Sequence, residues 1–211
     1  DQWAGAFDLS YEDSDGQNKL CHQTTFGMSE RLLGAVVGVH GDDNGLILPP
    51  SISPFQVILM PIATHADEGV LPAVNDLADI LTSAGLRVKV DDRDVRPGVK
   101  HYDWEIKGVP IRLELGPRDL SEGNCVVSLR TGGKKETPLE GIASTISDTL
   151  SSIADELRAR ANATLEDLVR PLPPIEGRGG ELEFTEKLED GFVYELAFDG
   201  SDLDAEVLEK L

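Results

Sequence analysis

Phe55-Gln56-Val57-Ile58-Leu59-Met60-Pro61-Ile62 is a nearly continuous apolar run. A strand with apolar side chains on both faces must be covered on both, so this stretch reads as a buried strand of an α/β sheet. Downstream, Val70, Val74, Leu77 and Leu81 recur at helical spacing, and Gly85 stands where a helix C-terminus is capped. Leu86, Val88 and Val90 alternate as a second strand. Pro97 to Lys107 suits a short helix closed by Gly108. Val109, Ile111, Leu113 and Leu115 alternate again, and Asn124 to Arg130 forms a further strand. Strands and helices that alternate at this spacing predict an α/β domain with a partly parallel sheet.

The flanks carry weaker patterns. Asp8 to Lys19 is polar with a turn at Gly16 and reads as a hairpin or loop. Cys21 to Thr25 is expected as a strand, and Leu32, Leu33, Val36 and Val39 fall on one face of a helix. Gly41 to Gly45 is a turn, and Pro49-Pro50 closes the segment. On the other side, Thr137-Pro138-Leu139-Glu140 has the pattern of a capping box with Pro at the first helical position. A long helix is expected from there, with Leu139, Ile142, Ile146, Leu150, Ile153 and Leu157 as its apolar stripe. Pro171, Pro173, Pro174 and the glycines at 177–180 break it. Residues 181–211 read as two strands and a helix, with Phe192, Tyr194 and Leu196 alternating and Ser201 as a cap.

Composition narrows the class. The 211 residues include 39 Asp plus Glu against 19 Lys plus Arg, a formal net charge of −20. With 40% hydrophobic residues the chain is globular in composition rather than disordered. No apolar run approaches the roughly 18–20 residues of a membrane span, and no charged, apolar leader opens the chain. Cys21 and Cys125 make no CxxC pair, so neither a disulfide framework nor a cysteine zinc site is expected. A reduced, cytoplasmic setting fits best. Such an acidic surface repels nucleic acid on average and suits a salt-rich cytoplasm. It equally describes an ordinary acidic protein with a local basic patch.

No catalytic set announces itself by spacing. His22, His40, His65 and His101 are dispersed, and no phosphate-binding glycine fingerprint or nucleophile elbow is present. Two places stand out. Arg31 opens an apolar helix after Gly27-Met28-Ser29, where it either clamps a phosphate or is an ordinary surface residue. The stretch from Arg93 to Asp119 concentrates Arg93, Arg96, Lys100, His101, Tyr102, Trp104, Lys107, Arg112 and Arg118 in an acidic chain. A locally basic surface over 93–134 is therefore expected. Arg112 and Glu114 lie on the strand face opposite Ile111 and Leu113. Basic groups hold phosphates, and Arg with a carboxylate reads the edge of a guanine. Trp104 is expected in the core rather than stacked on a base.

Specific blocks then add a resemblance. Cys21-His22-Gln23-Thr24-Thr25-Phe26-Gly27-Met28-Ser29-Glu30-Arg31 resembles motif 3 of class II prolyl-tRNA synthetases of the archaeal and eukaryotic type. His40-Gly41-Asp42-Asp43 and Gly45-Leu46-Ile47-Leu48-Pro49-Pro50 are similar to the same family's exit from its catalytic core. Arg96-Pro97-Gly98-Val99-Lys100, Trp104-Glu105-Ile106-Lys107-Gly108-Val109-Pro110 and Gly116-Pro117-Arg118-Asp119 resemble its anticodon-binding domain. The agreement is close over 21–119, looser over 120–170 and weak over 181–211.

The resemblance implies an architecture and a reaction. The fold expected is α/β: residues 1–50 as the end of a class II antiparallel-sheet catalytic core, 51–136 as a mixed-sheet anticodon-binding domain of about five strands, and 137–211 as a long helix with a small α/β C-terminal domain. The reaction implied is proline–tRNA ligation, with proline and ATP giving prolyl-adenylate and the prolyl group then passing to tRNA(Pro). Arg31 would hold the ATP γ-phosphate and act in catalysis, Ser29 would sit beside it, and Gln23 and Thr24 would lie on the active-site strand. Glu105 and Arg112 would read the two guanines shared by proline anticodons, with Arg118, Asp119 and Lys134 as further contacts. ATP and Mg²⁺ are implied for a full enzyme, which would be a homodimer without membrane attachment. Motifs 1 and 2 are absent, so the chain resembles the C-terminal part of a longer enzyme and is not expected to activate proline unaided.

Two departures bear on these expectations. His101 stands where the family commonly has Phe. No cysteine follows Cys125, so the zinc site of many relatives is not expected. A non-catalytic tRNA-binding paralogue and a generic acidic α/β protein are the competing readings.

Overall fold

A computed structural model describes residues 2–171 and 191–195. The expected helix capped by Ser201, and most of the expected fold over 181–211, lie outside the described residues. By packing the chain divides into two units, Asp1–Gly38 and Val39–Leu211.

In the first unit, α1 (Gln2–Ala6) precedes an antiparallel hairpin of β1 (Ser10–Glu12) and β2 (Asn18–Leu20). Gly16 takes φ +72° in the turn, as the sequence requires. The expected strand over Cys21–Thr25 does not form, and Gln23 and Thr24 lie in an irregular, exposed stretch. The physical reason is pairing. The Cys21 N–H donates to the Leu9 carbonyl, 3.0 Å, and beyond it no described strand offers a ladder. The expected helix does form as α2 (Arg31–His40), but it buries none of its side chains: Leu32, Leu33 and Val39 are each more than half exposed.

The second unit is built on a five-stranded mixed sheet in the order β4-β3-β5-β6-β7. Its strands are β3 (Val57–Pro61), β4 (Val88–Val90), β5 (Ile111–Leu115), β6 (Asn124–Leu129) and β7 (Lys134–Pro138). β4, β3 and β5 are parallel, whereas β5, β6 and β7 are antiparallel. The central run Val57–Pro61 is buried at every position, because the sheet is covered on both faces at β3. One face carries Val57, Leu59, Ile111, Leu113, Cys125 and Val127 against two helices, α3 (Val70–Ser83) and α6 (Ile142–Leu168). The predicted stripes do the packing: Val70, Val74, Leu77 and Leu81 from α3, and Ile142, Ile146, Leu150, Ile153 and Leu157 from α6. The other face carries Ile58 and Met60 under Trp104 of α4 (Pro97–Ile106). A short helix, α5 (Pro117–Glu122), joins β5 to β6.

The start of α6 differs from its sequence signature. Thr137 and Pro138 end β7, paired with Cys125 and Asn124, and the helix begins only at Ile142 after Gly141 at φ +70°. No side chain caps it. Five residues of ladder pairing outweigh a single capping box, worth about 1 kcal/mol. β8 (Val169–Pro171) follows and pairs in parallel with β9 (Val193–Glu195), which contains Tyr194 of the expected alternating strand.

A close backbone approach ties the 45–48 segment to the end of α4. Leu46 N donates to Ile106 O, 3.0 Å, and Leu48 N to Gly108 O, 3.1 Å. At Gly108, with φ +71°, a Cβ would stand 2.5 Å from the Leu46 carbonyl oxygen. The left-handed conformation costs a side chain about 1–2 kcal/mol, and backbone on the far side of the clash has little room to yield. Gly108→Ala is therefore expected to lower unfolding free energy by about 2 kcal/mol or more. Urea denaturation followed by far-UV circular dichroism measures this, and an unchanged midpoint would contradict the described approach.

Candidate nucleic-acid interface

The sheet face under α4 changes character across its width. Strand register places Lys89, Ile58, Arg112, Ser128 and Lys134 in one row, and Met60, Glu114, Val126 and Glu136 in the next. The β3 end of each row is apolar and sealed by Trp104. From β5 to β7 the rows are polar apart from Val126. α4 adds His101 and Glu105, one turn apart, above the polar end.

Arg112 is the centre of this cluster. Its side chain is 11% exposed, and Nη1 donates to Glu105 Oε2 and to the His101 carbonyl, both at 3.3 Å. Its Nε–H is buried with no acceptor among the described residues. A buried donor without a partner costs about 1–3 kcal/mol, so this guanidinium is under-used by the protein's own groups. Glu114 accepts from Lys134 Nζ at 3.3 Å and faces His101 Nε2 at 3.5 Å. The result is a close alternation of Glu105, Arg112, Glu114 and Lys134. The cations of the 93–134 stretch are mostly paired: Arg93 with Asp91 and Asp103, Arg112 with Glu105, Arg118 with Glu122, and Lys134 with Glu114. The surface is thus a mosaic of both signs.

Arg118 and Asp119 stand elsewhere, on the turn after β5. Asp119 Oδ2 accepts from Gly116 N at 2.9 Å and starts α5, so that carboxylate has a structural task. Arg118 is exposed and bridges to Glu122 one turn on, at 3.0 Å, and this carboxylate raises its pKa. No hydrogen bond or ion pair among the described residues joins either one to the Arg112 cluster.

The frame around the cluster rests on two buried ionic knots that the sequence did not reveal. Arg130, its side chain 3% exposed, donates to both carboxylate oxygens of Asp42, to Gly45 O and to Glu105 O. It thereby fixes the last turn of α4 beside β6. Its guanidinium holds the Asp42 carboxyl down at about 2. Asp91, at the end of β4, accepts from Arg93 Nε and Nη2, each 2.8 Å, and from Trp104 Nε1, 2.7 Å. Arg93 first, opposed by burial and helped by Trp104, holds this carboxyl far below the usual range. Trp104 is a core residue, 6% exposed, as its sequence position implied. Nothing in the local sequence distinguishes Arg130 from a surface arginine. Burial and partners 88 residues away in the chain make it structural.

In the first unit, Arg31 is the first residue of α2, exposed, with no ion pair among the described residues. Its N–H lies 3.4 Å from Ser29 Oγ. Gln23 and Thr24 are exposed upstream, and no described contact gathers these four residues. A free guanidinium at a helix start suits a phosphate. Among the described residues no three His, Cys, Asp or Glu side chains cluster to hold a metal ion.

The fold is an α/β domain with a mixed sheet between helices, and beside α4 it carries a polar, under-satisfied Arg–carboxylate cluster. Residues 56–161, half of the chain, match the family model described as anticodon binding domain, and the chain belongs to that family. Curated relatives of the chain include proline–tRNA ligases. The chain is 44% identical over 82% of its length to the proline–tRNA ligase of Thermococcus kodakarensis, and 48% identical over 74% to that of Methanoregula boonei. It is 40% identical over 90% to that of Methanococcoides burtonii. It spans 37%, 33% and 39% of these three proteins, a little over a third of their length. No helix among the described residues is long and apolar enough to cross a membrane.

Proposed function

We propose that this chain is the anticodon-reading part of a cytoplasmic proline–tRNA ligase, and that Glu105 and Arg112 read the two guanines of the proline anticodon. The observation that carries this reading is the Arg112 guanidinium, buried beside Glu105 with an Nε–H that finds no acceptor. Guanine offers O6 and N7 to an arginine and its N1–H and N2–H to a carboxylate. An Arg–Glu pair on an open face presents both halves of that pattern. The pair's own contact, 3.3 Å, is long for a charge-assisted bond and leaves both partners free to turn to a base. Lys134 would hold the RNA strand, with Arg118 and Asp119 as further contacts at the end of β5.

The whole enzyme would join proline to tRNA(Pro) with ATP and Mg²⁺ as a homodimer. Arg31 and Ser29 would belong to its ATP site, with Gln23 and Thr24 nearby. Positioning and neutralisation of the polyphosphate are what such an arginine supplies.

The test is binding of the chain to a proline-tRNA anticodon stem-loop and to one with both guanines replaced, over a salt series. The expected result is a preference of tenfold or more for the guanines, with affinity falling as salt rises for both RNAs. Equal affinity for the two at every salt would remove the reading assigned to Glu105 and Arg112.

A further inference from the structure

A cleft of about 290 Å³ opens at the ends of the parallel strands β3 and β4, against the start of α4. It lies along α4 from the Arg112 cluster: Pro97 and Lys100 line the cleft, whereas His101 and Glu105 face the cluster. Its apolar walls include Pro61, Ile62, Val95 and Pro97, and its polar lining includes Lys100, Asp92 and Asp94 together with Arg93, His65 and Thr64. Ile62 also pairs with Leu115, so the cleft shares the end of the sheet from which Arg118 and Asp119 project.

Lys100 is the unusual member. It is 95% buried by its 5% exposure, and its ammonium donates to the Asp91 carbonyl at 2.9 Å. No carboxylate pairs with it among the described residues, although an ammonium carries three donors. The neighbouring Asp91 carboxylate is already taken by Arg93 and Trp104. Buried cations are ordinarily paired. The fold therefore holds a desolvated donor at the wall of a small cavity, with two carboxylates at its mouth.

That combination selects the ligand. A phosphate would meet Lys100 but also Asp92 and Asp94, and the charge of Arg93 is already held by Asp91 and Asp103. A neutral planar heterocycle, with carbonyl acceptors and N–H donors on one edge, satisfies both signs and uses the apolar walls. The volume is at the lower end of small-ligand pockets, about 300–1,000 Å³, which suits one base and not a longer segment. Resting on the RNA-reading function proposed above, we infer that this cleft takes a third unpaired base of the bound RNA, with Lys100 on a carbonyl oxygen and Asp92 or Asp94 on an amino or imino group.

The test uses the full 211-residue chain and stem-loops in which each loop nucleotide outside the two guanines is made abasic in turn. One position is expected to lose about tenfold in affinity with the native chain. Lys100→Met is expected to weaken the intact stem-loop by a similar factor and to show no further loss with that abasic RNA. Because Lys100→Met removes a buried group, Thr64→Tyr serves as a second variant that fills the cleft from its rim and leaves Lys100 in place. It should lose the same base dependence. If no abasic position matters, or if the loss persists undiminished in both variants, the cleft is not a base site. If abasic RNAs bind normally but a methylphosphonate at one position weakens binding through Lys100, the ligand is a backbone phosphate and the inference is overturned. Free guanosine and adenosine monophosphates, titrated separately, report whether the cleft prefers a free nucleotide; saturation by these but no base dependence in RNA would also overturn it. Guanine preference in the native chain is read in the same experiment. Its loss would remove the function proposed above, whereas its survival without a third base removes only this inference.

Discussion

Arg112→Met is expected to abolish the proposed discrimination between guanine-containing and guanine-free anticodon loops while leaving the fold as stable as before. A well-made bidentate contact to a guanine is worth about 1–3 kcal/mol of discrimination, so the expected loss is about tenfold to a hundredfold. The stability half of the expectation follows from burial. Arg112 is nearly enclosed, makes only two bonds at 3.3 Å and leaves its Nε–H without an acceptor. Replacing such a charge with a side chain of similar length removes an unmet desolvation cost together with a weak ion pair. Glu105 keeps access to water at 37% side-chain exposure, so it is not stranded. Stem-loop titrations and urea unfolding on the same two proteins separate the outcomes. A loss of stability above about 2 kcal/mol, with the native chain indifferent to guanine, would make Arg112 a structural residue. Glu105→Gln tests the other half of the pair, and the two losses should not add, because both act on the same bases.

The second large effect is on stability. Asp91→Ala is expected to cost about 2–4 kcal/mol. The carboxylate is buried and receives the Trp104 indole N–H and two guanidinium donors from Arg93. Its removal strands the indole N–H inside the second core, where Trp104 covers Ile58 and Met60. Arg93 suffers less, being 45% exposed and still bound to Asp103. Asp91→Asn keeps an acceptor for Trp104 and should lose less than Asp91→Ala. The pH dependence has a definite sign. Arg93 and Trp104 hold the folded-state pKa of Asp91 below its ordinary value of 3.8, so its contribution is complete above pH about 4 and disappears on further acidification. Asp42, lowered to about 2 by Arg130, adds a contribution lost between about pH 3.8 and 2. Chemical denaturation between pH 2.5 and 7 should show native stability falling below pH 4, and a shallower fall in Asp91→Ala. Parallel curves for the two proteins would mean that folding leaves the Asp91 pKa at its ordinary value.

Periodicity carried much of the α/β domain. Val70, Val74, Leu77 and Leu81 read as one helix face and pack as one. Val57–Pro61 reads as a doubly covered strand and is buried at every residue. Those signals are local, because an apolar stripe has to meet a core whatever its partners are. The Arg112–Glu105 contact was accessible in a weaker sense: strand alternation sets Arg112 and Glu114 opposite the Ile111 and Leu113 face, but nothing local says which helix lies above them. Where local and distant preferences compete, the distant one prevailed. Thr137 and Pro138 carry a helix-start signature and nevertheless end a strand, because β6 lies alongside. Cys21–Thr25 has strand character and remains irregular where no described strand pairs with it.

The residues thus specify, through hydrophobic period and turn chemistry, which elements form in residues 55–168 and which of their faces turn inward. Sequence blocks over 21–119 also carry the likeness to proline–tRNA ligases. Three-dimensional packing alone settles which charges meet. Arg130 finds Asp42, Asp91 takes Arg93 and Trp104, Lys100 is enclosed without a carboxylate, and Arg112 keeps an unpaired N–H. An apolar stripe needs only a core, whereas an ion pair needs one particular partner at one distance, and that partner is chosen by how the chain folds back on itself.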